Sequence, residues 1–318
     1  MNEFYDPYAG QGIGSTRWLK SQFHMHNIHW DAEGNYHETL DGMREFFDEY
    51  KAADYDLVVH ASHNGWLDTS HLDADLGIRS FNGEEYVDFD GILLVGSDRA
   101  HRGDPQAVID ECRAMGGFAI ICHPNQNPQL SELPGIPPLL TKEMSRPLTG
   151  AIGVEIYTGC LARRQRAGIP FGLSLATDYW DEALTSGRLL WGFATDDSHR
   201  GFEINTGWTD ILSERDDFAS VKQAIERGAI VASRGLRLLT WQFDGAVLTV
   251  EADLPYVRTG QTQYRFIGEG GRVLAVGEGA TGTYRLTGHE AYVRVEARNA
   301  DGSVLWTQPL LSRDHFTI

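Results

Sequence analysis

Short apolar runs in the first two hundred residues keep stopping on polar, reactive residues, and this recurrence limits the fold more than any other feature. Asp56–Val59 runs into His60 to His63, Gly91–Val95 into Asp98, and Phe118–Cys122 into His123. Gly153–Ile156 and Trp191–Ala194 behave alike, the second leading to Asp196, Asp197 and His199. Runs of this length and composition read as buried strands. Between some of them lie helical patterns at Leu40–Ala53, Pro105–Met115 and Phe218–Arg227, the first with Met43, Phe46, Phe47 and Tyr50 at helical spacing. Buried strands alternating with helices predict a parallel α/β architecture. Reactive residues gathered at strand ends are where a β/α barrel places its site.

The chemistry at those ends is that of metal ligands. His24 and His26 stand two apart, so on a strand both imidazoles face one way. Asp31 follows on the next loop, with His29 as a competing candidate. His63 ends the next strand, with His60 on the opposite face. Gly96 lets the backbone turn before Asp98, and His101 is a candidate supporting residue. His123 is followed by the strand-stopping Pro124. Asp197 and His199 repeat the i, i+2 spacing, and the adjacent carboxylates of Asp196 and Asp197 repel unless a cation lies between them. Arg200 could serve one of them, and a metal serves better. Taken singly, each has a plain structural reading. Successive strand ends delivering His/His, His, Asp, His and Asp/His point together to a metal site, and the donor mix suits Zn, Mn or Fe more than Mg or Ca.

Past about Gly235 the texture changes. Val247–Glu251, Tyr264–Ile267 and Tyr292–Glu296 alternate apolar and polar residues between glycine-rich links, which predicts a small all-β unit over 236–318 behind a unit over 1–235. The 318 residues carry a formal net charge of −18, which argues against nucleic acid and anionic membranes as partners. Bound divalent metals would still let a small anionic substrate approach. Three cysteines without a CxxC form no disulfide framework, and neither a signal peptide nor a transmembrane run is evident, so a cytoplasmic location is expected.

The order of motifs resembles the polymerase and histidinol phosphatase (PHP) family over roughly residues 17–235. The family's opening HxHTxxSDG is matched by His24, His26 and Asp31, its TDH by Ala61, Ser62 and His63, and its GxE by Gly96, Ser97 and Asp98. Its SHP is matched by Cys122, His123 and Pro124, and its closing SDxH by Asp196, Asp197 and His199, where the D-x-H spacing selects Asp197. The segment Ala224–Gly235 and the β-rich tail are similar to a branch of PHP-related proteins named for carbaryl hydrolases.

The resemblance implies a distorted seven-stranded β/α barrel holding two or three divalent metal ions. His24 and His26 would bind the first with Asp197. Asp98 would bridge to the second, completed by His123, and Asp31, His63 and His199 would hold a third. Glu155 would support rather than ligate. Asp98, Asp197 and His199 would then be the catalytic side chains. Two departures stand out: Asp98 is one methylene shorter than the usual glutamate, and Ser62 replaces an aspartate.

The expected activity is hydrolysis of a small phosphomonoester or phosphodiester by a metal-bridging hydroxide. Arg163 and Arg164 are candidate clamps for phosphate oxygens, with a solvated helical face as the plain reading. Tyr157, Trp180 and Trp208 are candidate pocket or core residues. Hydrolysis of a carboxylic or carbamate ester is the competing activity. A non-catalytic, metal-stabilised binding protein is the reading from another class, and an oligomer is compatible with either.

Overall fold

A computed structural model describes residues 3–13, 16–26, 29–30, 36–37, 40–63, 66–69, 73, 77–86, 88–132 and 138–318, with side chains left aside at 29, 30, 36, 37, 40 and 41. Seven strands of the first part lie side by side: β1 (Trp18–Met25), β2 (Leu57–Ser62), β3 (Arg79–Glu85), β4 (Ile92–Val95), β5 (Phe118–Ile121), β6 (Gly153–Thr158) and β7 (Trp191–Thr195). Neighbours are parallel except at β4, which runs antiparallel to both β3 and β5. Strands β2, β4, β5, β6 and β7 are buried at every position, which is why they read as unbroken apolar runs rather than alternating ones.

Among the helices that accompany these strands are α1 (Leu40–Ala52), α2 (Pro105–Ala114), α3 (Gly159–Arg166), α4 (Thr177–Thr185) and α5 (Phe218–Glu226). Helix α2 starts where Pro105 needs no N–H partner and the Asp104 carboxylate accepts from the amides of Gln106 and Ala107. Phe23 of β1 packs between Phe118 of β5 and Phe193 of β7, with ring centroids 6.2 and 5.4 Å away, so the sheet curls around an aromatic core. The expected α/β architecture is therefore present. A closed seven-stranded barrel is not traced by the pairing: among the described residues no ladder joins β7 back to β1. The two ends meet instead where the Asp197 amide donates to His24 O (3.0 Å) and the His26 amide to Ser198 O (2.8 Å).

On the other side of β1 the sheet continues through β8 (Trp208–Leu212) and β9 (Ile230–Arg234), both antiparallel. Further along the chain follow β10 (Arg237–Phe243), β11 (Val247–Asp253), β12 (Thr262–Gly268), β13 (Arg272–Gly279), β14 (Gly282–Arg285), β15 (Tyr292–Arg298), β16 (Val304–Thr307) and β17 (Leu310–Ser312). β10, β11 and β14 form a separate three-stranded sheet, while β16 pairs with β9 and carries the main sheet on into β15, β12 and β13. Trp241, Leu248, Val250, Tyr264, Phe266, Val293 and Val295 fill a second core. Arg294 of β15 donates to Asp181 of α4 through Nε (2.8 Å) and Nη2 (2.6 Å), and the Tyr292 hydroxyl adds a third bond at 2.9 Å. Among the described residues no helix is long and apolar enough to cross a membrane, and the three cysteines are buried free thiols.

Candidate metal centre

The i, i+2 spacing does on β1 what strand geometry requires. His24 and His26 are fully buried and turn their Nε2 atoms to the same two carboxylate oxygens. Each Nε2 lies 3.3 Å from Glu85 Oε2 and 3.4 Å from Asp197 Oδ1. His63 Nδ1 approaches Glu85 Oε2 at 2.9 Å, and His123 Nε2 approaches Glu85 Oε1 at 2.9 Å and Asp90 Oδ1 at 3.3 Å. The His63 ring stacks on His26 with centroids 3.7 Å apart, and its Nε2 faces His199 Nε2 at 3.4 Å. His63 and His199 are the partly exposed members of the cluster, at 25% and 16%, so they mark its open side.

Bonds of about 2.1 Å to a common cation put neighbouring ligand atoms about 3.0–3.4 Å apart. The separations around Glu85 Oε2 and Asp197 Oδ1 match that spacing. Among the described residues, three buried atoms in the cluster, His24 Nε2, Glu85 Oε2 and Asp90 Oδ1, have ion-pair contacts but no hydrogen bond. Buried polar atoms are normally hydrogen-bonded, so these three fit a missing partner with positive charge. Groupings of His24, His26 and Asp197, of Glu85, Asp90 and His123, and of His26, His63 and His199 each bring ligand atoms within reach of one ion. The donor set therefore fits divalent metals.

Without a cation, protons carry the compensating charge. Burial opposes an imidazolium at His24, but the carboxylates of Glu155, Asp197 and Glu85 outweigh it and hold the pKa well above the usual range. Burial likewise opposes charge at His123, and Asp90 and Glu85 override it, raising the group to about 10. Asp90, pressed by burial and by the Glu85 charge, rises to about 8. Glu85 and Asp197 move down against burial because imidazoles surround them, His24 foremost for both. Burial holds the His199 imidazole well below its ordinary range.

Glu155 supports the cluster and its own oxygens are occupied. Its Oε1 accepts from His24 Nδ1 (2.7 Å) and Thr195 Oγ1 (2.9 Å), and its Oε2 from the His123 amide (3.0 Å) and Thr158 Oγ1 (3.2 Å). A carboxylate behind a histidine in this way fixes the tautomer and turns Nε2 outward. Asp196 points away from Asp197 and is saturated by the amides of Asn205, Thr206 and Gly207 at 2.6–3.0 Å. Asp197 and His123 both hold positive φ, 50° and 27°, a backbone cost that clusters at functional sites.

Of the residues expected from sequence, the structure brings His24, His26, His63, His123, Asp197 and His199 together. Asp31 lies outside the described residues. Asp98 is a correction. Its side chain is 72% exposed and contacts Arg99 at 3.3 Å, away from the cluster. The physical reason is strand direction: β4 runs antiparallel to its neighbours, so the residues after Val95 leave at the opposite rim of the sheet. His101 goes the same way, its amide donating to Glu84 at 3.0 Å. The carboxylate at the centre is Glu85, ending β3, and Asp90, two residues before β4, joins it from the hairpin's other arm. Sequence reasoning missed both, although Gly83, Glu84 and Glu85 spell out a GxE. Gly83 is required there, since a Cβ would stand 2.8 Å from Val59 Cγ1 and 3.2 Å from two backbone oxygens.

Arg164 stacks on Phe171 at 4.5 Å, and its positive field reaches His199 and Glu203. Arg163 lies over Phe202 at 5.4 Å. Trp180 is a core residue, its Nε1 donating to Leu190 O at 2.8 Å, whereas Tyr157 and Trp208 line a separate groove.

No protein-family model matches the chain, and no curated protein matches it. Among solved structures, the chain is similar to a two-domain protein containing a predicted PHP-like metal-dependent phosphoesterase from Bacteroides vulgatus ATCC 8482. The identity is 11%, 94% of this chain and 96% of that one are covered, and the TM-score is 0.45. Fold likeness of this degree leaves the chemistry to the geometry of the site itself.

Proposed function

We propose that the chain is a metal-dependent hydrolase of the PHP type, acting on phosphoric esters of small molecules. The observation that carries this reading is the shared Glu85 carboxylate, with His24, His26 and His63 around one oxygen and His123 at the other. His24, His26, Glu85 and Asp197 would hold one divalent ion, and Glu85, Asp90 and His123 a second. His63 and His199, with Asp31, would hold a third. Residues 1–235 form the hydrolase unit in this reading, with 236–318 as an all-β companion.

Bound divalent ions supply Lewis acidity and an activated water at neutral pH. The chain's own groups do the rest. Glu155 holds His24 in one tautomer. Glu203 accepts the amides of His199 (2.7 Å) and Arg200 (3.1 Å), which fixes the loop that presents His199 on the open side. Arg164, whose charge reaches His199, would take a non-bridging phosphate oxygen, and this supports a phosphoric over a carboxylic or carbamate ester.

The test pairs metal analysis with turnover. Bis(p-nitrophenyl) phosphate and p-nitrophenyl acetate are offered to metal-loaded wild type and to His26→Ala. Phosphodiester turnover that vanishes with the bound metal in the variant supports the proposal. Turnover of the acetate alone, lost in the same variant, replaces it with the ester or carbamate hydrolase. A wild-type protein that retains no metal sinks both.

A further inference from the structure

A second site stands apart from the cluster, where the α/β part meets the C-terminal strands. A groove of about 500 Å³ is walled there by Tyr157, Arg166, Thr206, Trp208, Arg234 and Tyr256, among others. That volume is in the range of small-molecule sites. Its charge runs against the rest of the molecule. The chain has 45 acidic and 27 basic residues, yet among the described residues no acidic side chain lines the groove. Among the described residues neither Arg166 nor Arg234 forms an ion pair with a carboxylate, and Arg234 lies 5.2 Å from the Tyr157 ring.

The aromatic residues point the same way. Tyr157 is 2% exposed, and its hydroxyl makes no hydrogen bond among the described residues. Burial pushes that hydroxyl up in pKa, the guanidinium groups of Arg234 and Arg166 pull it down, and Asp196 and Arg163 act against each other, so the arginines are the nearer charges. Tyr256 is 84% exposed, with its hydroxyl donating to Asp54 at 3.2 Å, so its ring is held at the rim. Trp208 supplies a further ring, with Lys20 Nζ 4.5 Å from its centroid. Guanidinium groups recognise carboxylates and phosphates, and an exposed aromatic side chain at the rim favours a flat ring against it.

We propose that this groove binds a small anion carrying an aromatic ring, with Arg166 and Arg234 on the anion and the exposed Tyr256 ring at the rim on the aromatic part, while Tyr157 and Trp208, 2% and 6% exposed, back the groove wall. The site shares no ligand residue with the cluster and does not depend on the hydrolase activity. Thr206 belongs to both settings, since its amide and hydroxyl bind Asp196, the neighbour of Asp197.

The probe is phenylphosphonate, whose P–C bond an esterase does not cleave, titrated calorimetrically into the full chain. Binding is expected to persist in His26→Ala and to weaken about tenfold in Arg166→Gln and in Arg234→Gln, with methylphosphonate about tenfold weaker than phenylphosphonate. Arg166 is exposed at the end of its helix, so its variant keeps the fold even if Arg234→Gln does not. Binding that disappears in His26→Ala and is unchanged in Arg166→Gln assigns the anion to the cluster and overturns the proposal. So does the absence of saturable heat in the wild type.

Discussion

Two buried regions carry charge, and they treat it in opposite ways. At the junction of α4 and β15, Asp181 meets one guanidinium and one hydroxyl, three bonds of 2.6–2.9 Å that answer its two oxygens from within the chain. Around Glu85, carboxylates and imidazoles crowd together while, among the described residues, His24 Nε2, Glu85 Oε2 and Asp90 Oδ1 are left without hydrogen bonds. A buried charge answered by its own chain is architecture. A buried cluster with unanswered atoms is a receptor for something that arrives later. Among the described residues the junction leaves one such atom, Arg294 Nη1, beside a carboxylate whose two oxygens are both bonded, whereas the cluster leaves atoms of several like-charged groups facing one another.

The sharpest way to break this comparison is to remove the central carboxylate. Glu85→Gln is expected to abolish metal retention and lower turnover about a thousandfold, equivalent to about 4 kcal/mol of transition-state stabilisation. Asp98→Asn, on the exposed rim, should leave both unchanged. Metal analysis and steady-state kinetics on the two variants decide the matter, and equal losses would return the bridging role to Asp98.

The architectural region should fail differently. Asp181→Ala strands a buried guanidinium and is expected to cost about 3–5 kcal/mol of unfolding free energy in urea, with the metal content of the folded protein intact. Chelation makes the complementary perturbation. At a free cation concentration about a thousandfold above the dissociation constant, removing the ions costs about 4 kcal/mol. The same increment should appear in Asp181→Ala, because distant sites add. A smaller increment in that variant would mean that the two regions are coupled.

Protons sharpen the comparison further. His123 is raised to about 10, so its contribution is fully present below an unfolded value of about 6.5 and is lost as pH rises through 10. Asp90 is raised to about 8, so its burial costs stability as pH climbs from about 4 toward 8. Both shifts have the same sign. Chelator-treated protein should be less stable in urea at pH 9 than at pH 6, while cation affinity rises over that interval as protons are displaced. The mildest variant is Glu155→Gln, expected to weaken metal binding by about 10–100-fold without abolishing it.

Much of the molecule is legible in its residues. The apolar runs are strands buried on both faces, and the helices expected at 40–53, 105–115 and 218–227 appear as Leu40–Ala52, Pro105–Ala114 and Phe218–Glu226. The six histidines and aspartates that gather at the centre are readable because each ends an apolar run or repeats the i, i+2 pattern. Glu85 is hidden because β3 has no such run. Arg79, Ser80, Asn82, Glu84 and Glu85 make it a polar strand, and its interior is bonded through side chains such as Ser80 to Thr69 at 2.6 Å. Asp90 is hidden because it precedes its strand, and only the reversal of β4 brings it to the same rim as Glu85. The joining of β16 to β9 depends on partners some seventy residues apart, which local alternation does not encode.

That reversal has a consequence for how the centre can change over time. Glu85 and Asp90 are the two ends of one hairpin connection, pinned where the Tyr86 amide donates to Ile92 O at 2.8 Å and where Asp90 exchanges backbone bonds with Pro138 and Leu140. Surface loops elsewhere in the molecule can lengthen or shorten freely. Here a single inserted residue would shift one carboxylate against the other and alter the pitch between adjacent ion positions. The connection therefore behaves as a gauge block, and descendants of this chain should vary its composition before they vary its length.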